Sequence, residues 1–442
     1  MENAVRDWRG RSYHPGPVPA DRTRMFWLAW GAMAAISPLQ YGYAALLAKE
    51  ATGLTLLAVW IACQAAGALP ALRLVRRGRL GVRTSLAAGA ALSFAGLAAA
   101  ALPLSAPGAF VGYALLGGLG AGLVYGVCGE VVSSWYPERP AARVGLITGA
   151  FGYGAVPLLV WAGLAPAATP TAFMVAAVVA LVVIATAARH LRLPPALWWP
   201  EDVDPRSHAL DAARLRTTPE AARQFGPAQA LRTRTLPALA LILTCAGAVS
   251  VFDVIVVAGT GSWGALAVLV ALNGASRSVA VRCSELFGRR RVLAAVLTAL
   301  AAGQVLLATA LTAPPSGPTP TGTALGSTLP GSASTGTVVA ESVAGGGPLL
   351  WLGAVAAGLG GGAFYPLLAS LVREFFGVER AGEIHAVVYS AKALAGAGAV
   401  ALALFALSTP APALAVAAAL AALPALAIPR LRIPGLPSTI PA

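Results

Sequence analysis

Four charged residues lie where an apolar sequence should hold none: Arg277, Lys392, Asp253 and Glu130. A charge inside a bilayer costs at least about 2.5–3.5 kcal/mol on insertion scales, so each needs a use or a partner. Arg277 closes the run Asn273-Gly274-Ala275-Ser276-Arg277, eight residues before Glu285. Lys392 closes Tyr389-Ser390-Ala391-Lys392, eight residues after Ile384. With Glu285 and Ile384 at helix ends on one membrane face, a rise of about 1.5 Å per residue puts both cations roughly 12 Å deep. The half-thickness of the hydrocarbon is about 15 Å. Two cations at one depth repel, and a bound anion relieves the repulsion. A guanidinium grips a carboxylate at two points, and an ammonium can hold a second carboxylate or a coupling charge. The pair therefore reads as an anion site. The blander alternative is that each side chain snorkels to the surface or pairs with an acid of the protein.

Asp253 falls well along its helix, toward the opposite face. It is a candidate coupling residue, carrying a proton or serving as counter-ion to Arg277 in the empty protein; a structural acid satisfied by a partner is the equal alternative. Glu130 lies near a helix end, and a structural pair with Arg143 or Arg139 is expected there; Glu285 is a further structural charge. His385, at a helix end, reads as structural. Trp135, Trp198 and Trp199 read as interfacial anchors. Tyr41, Tyr43, Tyr125, Tyr153 and Tyr365 fall inside apolar runs. A buried hydroxyl needs a partner, and a small polar cavity is one way to supply it. The four cysteines, Cys63, Cys128, Cys245 and Cys283, form no CxxC and no cluster with histidine, so neither a metal site nor a cofactor is expected.

The elements that must hold these residues are membrane helices. Of 442 residues 57% are hydrophobic and 11% charged, against about 25% charged in soluble domains. Runs long enough to span recur at 25–48, 54–75, 84–103, 108–133, 144–165 and 169–188, then at 236–258, 263–282, 292–313, 348–371, 385–406 and 410–428. The first run exceeds a signal-peptide core of about 7–15 residues, so it reads as a span. The net charge of +14 is almost all arginine, placed between spans without interleaved aromatics, which argues for membrane orientation and against nucleic-acid binding. Arginine-rich loops alternate with neutral ones, where Lys49 is the one basic residue. The positive-inside rule then puts both termini in the cytoplasm of a multi-pass protein of the inner (plasma) membrane. The expected fold is an all-α membrane protein with twelve transmembrane helices in two pseudo-symmetric six-helix bundles. Residues 1–24 form a cytoplasmic tail, 25–188 the first bundle and 189–235 a charged cytoplasmic linker with a short surface helix. Residues 236–428 form the second bundle and 429–442 a tail. Residues 314–347, rich in Gly, Ser, Thr and Pro, are expected to be a disordered extracytoplasmic loop.

The halves resemble one another. Tyr125 precedes Trp135 by ten residues as Tyr365 precedes Phe375, and Gly118, Gly120 and Gly122 correspond to Gly358, Gly360 and Gly362. Two parallel six-helix repeats with a solute site between them are the plan of major facilitator carriers.

Five motifs resemble the oxalate/formate antiporter family of that superfamily over nearly the whole chain. They are the glycine-laced stretch Gly118 to Gly149 with Trp135-Tyr136-Pro137-Glu138-Arg139, then Gly152-Tyr153-Gly154; Pro194-Pro195-Ala196-Leu197-Trp198-Trp199-Pro200; Ala230-Leu231-Arg232-Thr233; Asn273 to Arg277; and Tyr389 to Lys392. The resemblance implies a carrier of small carboxylates in which Arg277 and Lys392 bind the anion and Tyr125, Tyr153 and Tyr365 line the site. One departure stands out: Leu72-Arg73-Leu74-Val75-Arg76-Arg77-Gly78 lacks the acid usual in the superfamily's loop, while Glu285 stands for it in the second half. The expected function is alternating access for mono- or dicarboxylates, as antiporter or proton symporter, in a protein that works as a monomer in the lipid bilayer. The alternatives are a proton-coupled exporter of drug-like compounds using Asp253 and Glu130, and a membrane receptor without transport. No paired carboxylates or phosphate loop support an enzyme.

Overall fold

The computed structural model describes residues 4–7, 10–211, 221, 223–312 and 347–435. The 314–347 loop therefore lies, but for its last residue, outside the described residues. Eleven described helices are long and apolar enough to cross a membrane. They are α2 (Ala51–Arg76), α3 (Val82–Ala101), α4 (Ala106–Trp135), α5 (Pro140–Leu164), α6 (Pro166–His190), α7 (Thr235–Gly259), α8 (Trp263–Phe287), α9 (Arg289–Thr312), α10 (Pro348–Phe376), α11 (Ala381–Ser408) and α12 (Pro410–Arg430). A twelfth, α1, precedes them in three pieces: Arg22–Ala35, a π-helical turn Pro38–Gly42, and Tyr43–Leu46. Pro38 has no N–H to return to the preceding turn, so the helix widens there. The carbonyl of Leu39 accepts from Tyr113 Oη at 2.9 Å.

The pairings repeat between halves. In the first, α1 packs on α5, α2 on α4, and α3 on α4 and α6. In the second, α7 packs on α11, α8 on α10, and α9 on α10 and α12. The halves meet through α5 on α8 and α11 on α2, which the same pseudo-symmetry exchanges. Glycine makes these crossings close. A Cβ on Gly274 would strike the Gly149 carbonyl and Tyr153, and one on Gly362 would strike the Asn273 carbonyl. Small residues are the usual means of bringing membrane helices to backbone contact.

Outside the spans the chain is not purely helical. The N-terminal tail forms β1 (Val5–Arg6) and β2 (Ser12–Gly16), and the linker supplies β3 (Trp198–Pro200). β1 pairs antiparallel with β2, and β2 parallel with β3, with His14 opposite Trp198. This corrects the anchor reading of three tryptophans. Trp198 and Trp199 are buried in the sheet, and Trp135 is buried with its indole edge-on to Trp198 at 4.9 Å. Trp135 donates to the Arg192 carbonyl at 2.7 Å and Trp199 to the Val203 carbonyl at 2.6 Å. Indole N–H groups spent on backbone have no need of the lipid interface. Among its described residues the linker holds two short helices, Pro205–Leu210 and Pro227–Leu231.

Candidate functional site

Arg277 on α8 and Lys392 on α11 are each 2% exposed, inside the protein. Arg277 donates to the Thr148 carbonyl at 2.9 Å, to Tyr41 Oη at 3.1 Å and to Asn273 Oδ1 at 3.0 Å. Lys392 Nζ donates to Gln40 Oε1 at 2.9 Å, to Gln64 Oε1, and to Tyr389 Oη at 3.5 Å. Among the described residues neither cation forms a salt bridge. Every partner is a neutral oxygen. Four of them, on Thr148, Tyr41, Gln40 and Gln64, come from the opposite half.

The cations flank one pair of rings. The Arg277 guanidinium carbon lies 5.0 Å from the Tyr365 ring centre and 5.9 Å from that of Phe151. Lys392 Nζ lies 6.0 and 5.2 Å from the same two centres. The π faces supply partial negative charge, which offsets part of the cost of burial. Neutral oxygens and ring faces do not neutralise two charges, and the Nε of Arg277 and Nε2 of Gln64 are buried without partners among the described residues.

The π turn in α1 is what brings Gln40 and Tyr41 into this cluster, both buried. Tyr41 also donates to Asn273 Oδ1 at 3.1 Å, and Asn273 donates to Ser250 Oγ at 3.0 Å, so α1, α7 and α8 are tied through one amide. Tyr125 stacks on Tyr389 with centres 5.2 Å apart and meets Phe151 edge-on at 5.8 Å. Tyr125, Tyr365 and Tyr389 line the inner end of a cavity of about 130 Å³ between the halves. Its walls run toward the side of the linker, past Glu130, Arg76 and Arg373. A larger cavity of about 680 Å³ continues outward, sharing Ser133, Ser370 and Arg373 with the first and reaching the tail at Tyr13. On the other side the halves touch: Gly163 abuts Trp263 and Gly396 abuts Ile61. The cations thus sit behind a floor of tyrosines, with space on the linker side.

Tyr153 does not join the cluster. Its hydroxyl accepts from Trp30 Nε1 at 3.0 Å, and its ring packs on Gly274 at the α5–α8 crossing. Asp253 is not the counter-ion of Arg277: it accepts from Gln304 of α9, and its other oxygen has no partner among the described residues. The expected pair of Glu130 with Arg143 or Arg139 is also corrected. Glu130 faces α2 and binds Arg76 at 2.9 Å, while Arg143 turns its guanidinium onto Phe26 and Tyr136, at 5.3 and 4.7 Å. Glu285 pairs with Arg282 at 3.0 Å on the surface. The residues missed from sequence are Gln40, Gln64 and Phe151. The two glutamines carried a signal, being amides inside apolar runs; Phe151 carried none.

No family model matches the chain, and no curated protein matches it. Solved structures do, through their fold. A mutant of the nucleoside transporter NupG superposes with a TM-score of 0.60 at 13% identity, over 93% of this chain and 99% of that one. A mutant of the peptide transporter POT gives 0.64 at 13%, over 93% and 95%. The inward-open xylose transporter XylE from E. coli gives 0.61 at 14%, over 94% and 97%. The chain has the major facilitator fold. Neighbours whose solutes differ so widely share an architecture, so the function of this chain has to be argued from the site.

Proposed function

We propose that this chain is a secondary carrier of small organic anions, mono- or dicarboxylates, that works by alternating access of its two halves. The observation that carries the reading is the pair Arg277 and Lys392: two buried cations beside the same two rings, held only by neutral oxygens. A carboxylate offers what those oxygens lack, a formal negative charge, and a charge-assisted bond is roughly twice as strong as a neutral one. The displaced oxygens belong largely to the opposite half, so exchanging them for a ligand changes what joins the halves. Such an exchange at the interface is what rocking-bundle transport requires.

In this reading Tyr125 and Tyr365 line the ligand position, and Tyr153 supports the crossing behind it. The protein acts as a monomer in the plasma membrane with both termini in the cytoplasm, driven by exchange of anions or by symport of a proton. Asp253 is the coupling residue of the symport form, since it is a buried acid with no basic partner among the described residues. A drug-cation exporter is less well supported: Glu130 is occupied by Arg76, and the midplane charges are positive.

The test is counterflow of a panel of labelled carboxylates into proteoliposomes. Wild type is expected to accumulate at least one of them, and Lys392→Gln to abolish that accumulation. Equal uptake by the variant removes Lys392 from the site; no uptake of any carboxylate retires the anion reading.

A further inference from the structure

At the junction of the two cavities two guanidiniums have carboxylate partners and a third has none among the described residues. Arg76 is paired with Glu130 at 2.9 Å and Arg289 with Glu374 at 3.1 Å. Arg373, near the end of α10, lies in the field of Arg76, Glu130 and Arg289, and its guanidinium has no hydrogen bond or ion pair among the described residues. It lines both cavities. Two further polar groups around it are idle: Ser370 Oγ and His385 Nδ1 are buried without partners among the described residues. Ser370 lines both cavities and His385 the inner one. Buried polar atoms left unsatisfied in a cavity call for a ligand or ordered water. Here they lie beside a guanidinium with no ion pair among the described residues, and a formal positive charge holds an anion more strongly than a neutral acceptor.

We propose that Arg373, with Ser370 and His385, forms a second anion-binding position, a way-station one step outside the central cluster. Its ligand is the same class of small carboxylate or another compact oxyanion, and it rests on the central-site reading only for that choice of class. The tyrosines Tyr125, Tyr365 and Tyr389 stand between the two positions. An anion entering from the linker side through the outer cavity meets Arg373 where the two cavities join, loses part of its hydration against the guanidinium, and then passes the rings. Holding a charge at an intermediate depth divides one large desolvation step into two smaller ones. The site also raises the local concentration of anions over that of cations at the mouth.

The experiment uses selenate, a compact divalent oxyanion with an anomalous scatterer, soaked into crystals of the full-length wild-type protein and of Arg373→Gln. A selenium peak within hydrogen-bond reach of Arg373 in the wild type, absent from the variant, is the expected result. Selenium at Arg277 and Lys392 alone, or none in either cavity, overturns the way-station. A peak at Arg373 with none at the central pair upholds the way-station and counts against the central site, so the two readings fail separately. In proteoliposomes Arg373→Gln should raise KM for oxalate added on the linker side about tenfold with kcat retained, and Arg373→Lys should recover most of the loss. A fall in kcat with unchanged KM, unrelieved by lysine, makes Arg373 a structural residue and overturns the proposal.

Discussion

At the residue scale, the two central cations differ in what they can do. Arg277 presents a planar fork, already bonded to three oxygens, whose Nε is unspent. Lys392 is a point charge on a flexible stem, held by amides. The fork selects for planar, two-oxygen ligands, and the ammonium adds charge without direction. Replacing Arg277 with Lys is therefore expected to weaken a dicarboxylate by at least about tenfold, because one bidentate contact is lost. Competition curves against labelled substrate measure this, and an unchanged dicarboxylate-to-chloride selectivity would contradict it. Asp253 invites a different substitution. Asn keeps the polar contact with Gln304 but cannot carry a proton. Asp253→Asn should leave anion exchange intact while removing uptake driven by an imposed proton gradient. If gradient-driven uptake survives, Asp253 is a helix-packing group. These charges were legible in the sequence because membrane spans tolerate few of them. Their partners were not, since Gln40, Gln64 and Thr148 reach Arg277 and Lys392 across the interface from other helices, a relation no spacing encodes.

At the element scale, the π turn of α1 and the glycine crossings do most of the positioning. One extra residue in a turn rotates the next stretch of helix by about 100° relative to a regular one. Pro38→Ala restores the missing donor and lets the turn close. Gln40 and Tyr41 should then swing away from Lys392 and Arg277, slowing carboxylate counterflow strongly in a protein whose thermal unfolding midpoint does not fall. Full-speed exchange by this variant would mean that α1 keeps its wide turn for another reason. At the α5–α8 crossing, Gly274→Val drives two methyls into Gly149 and Tyr153, and overpacking of this kind costs about 1–3 kcal/mol. A lowered unfolding temperature in detergent should report it. Helix existence was readable from apolar length. The break in α1 was foreshadowed only by Pro38, one of several prolines in spans; Pro70 and Pro366 leave their helices continuous. The pairing of tail and linker strands was not readable: β1 has two residues and β3 three, too short for any period to register.

At the scale of the whole molecule, the two repeats and the position of the cavities define a state with space on the linker side and contact on the other. Gly163 against Trp263 marks the closed side, and Ser133 with Ser370 marks the open one. Cysteines placed at Ser133 and Ser370, on α4 and α10, should cross-link faster when the halves rock to close that mouth. Bifunctional reagents of graded length would report a rate that changes with saturating carboxylate substrate. A rate indifferent to every carboxylate tried would argue against a ligand-coupled rocking motion.

The strand pairing between tail and linker has a consequence for how the protein is made. β2 precedes the first span, whereas its partner β3 follows the sixth. While the ribosome threads the first bundle, residues Ser12–Gly16 lack this partner and must wait until Trp198–Pro200 emerges. Closure of this clasp thus requires that the chain has been made through the sixth span and on to Pro200. A protease cutting just before Arg22 would distinguish chains that have passed that checkpoint from those still in transit.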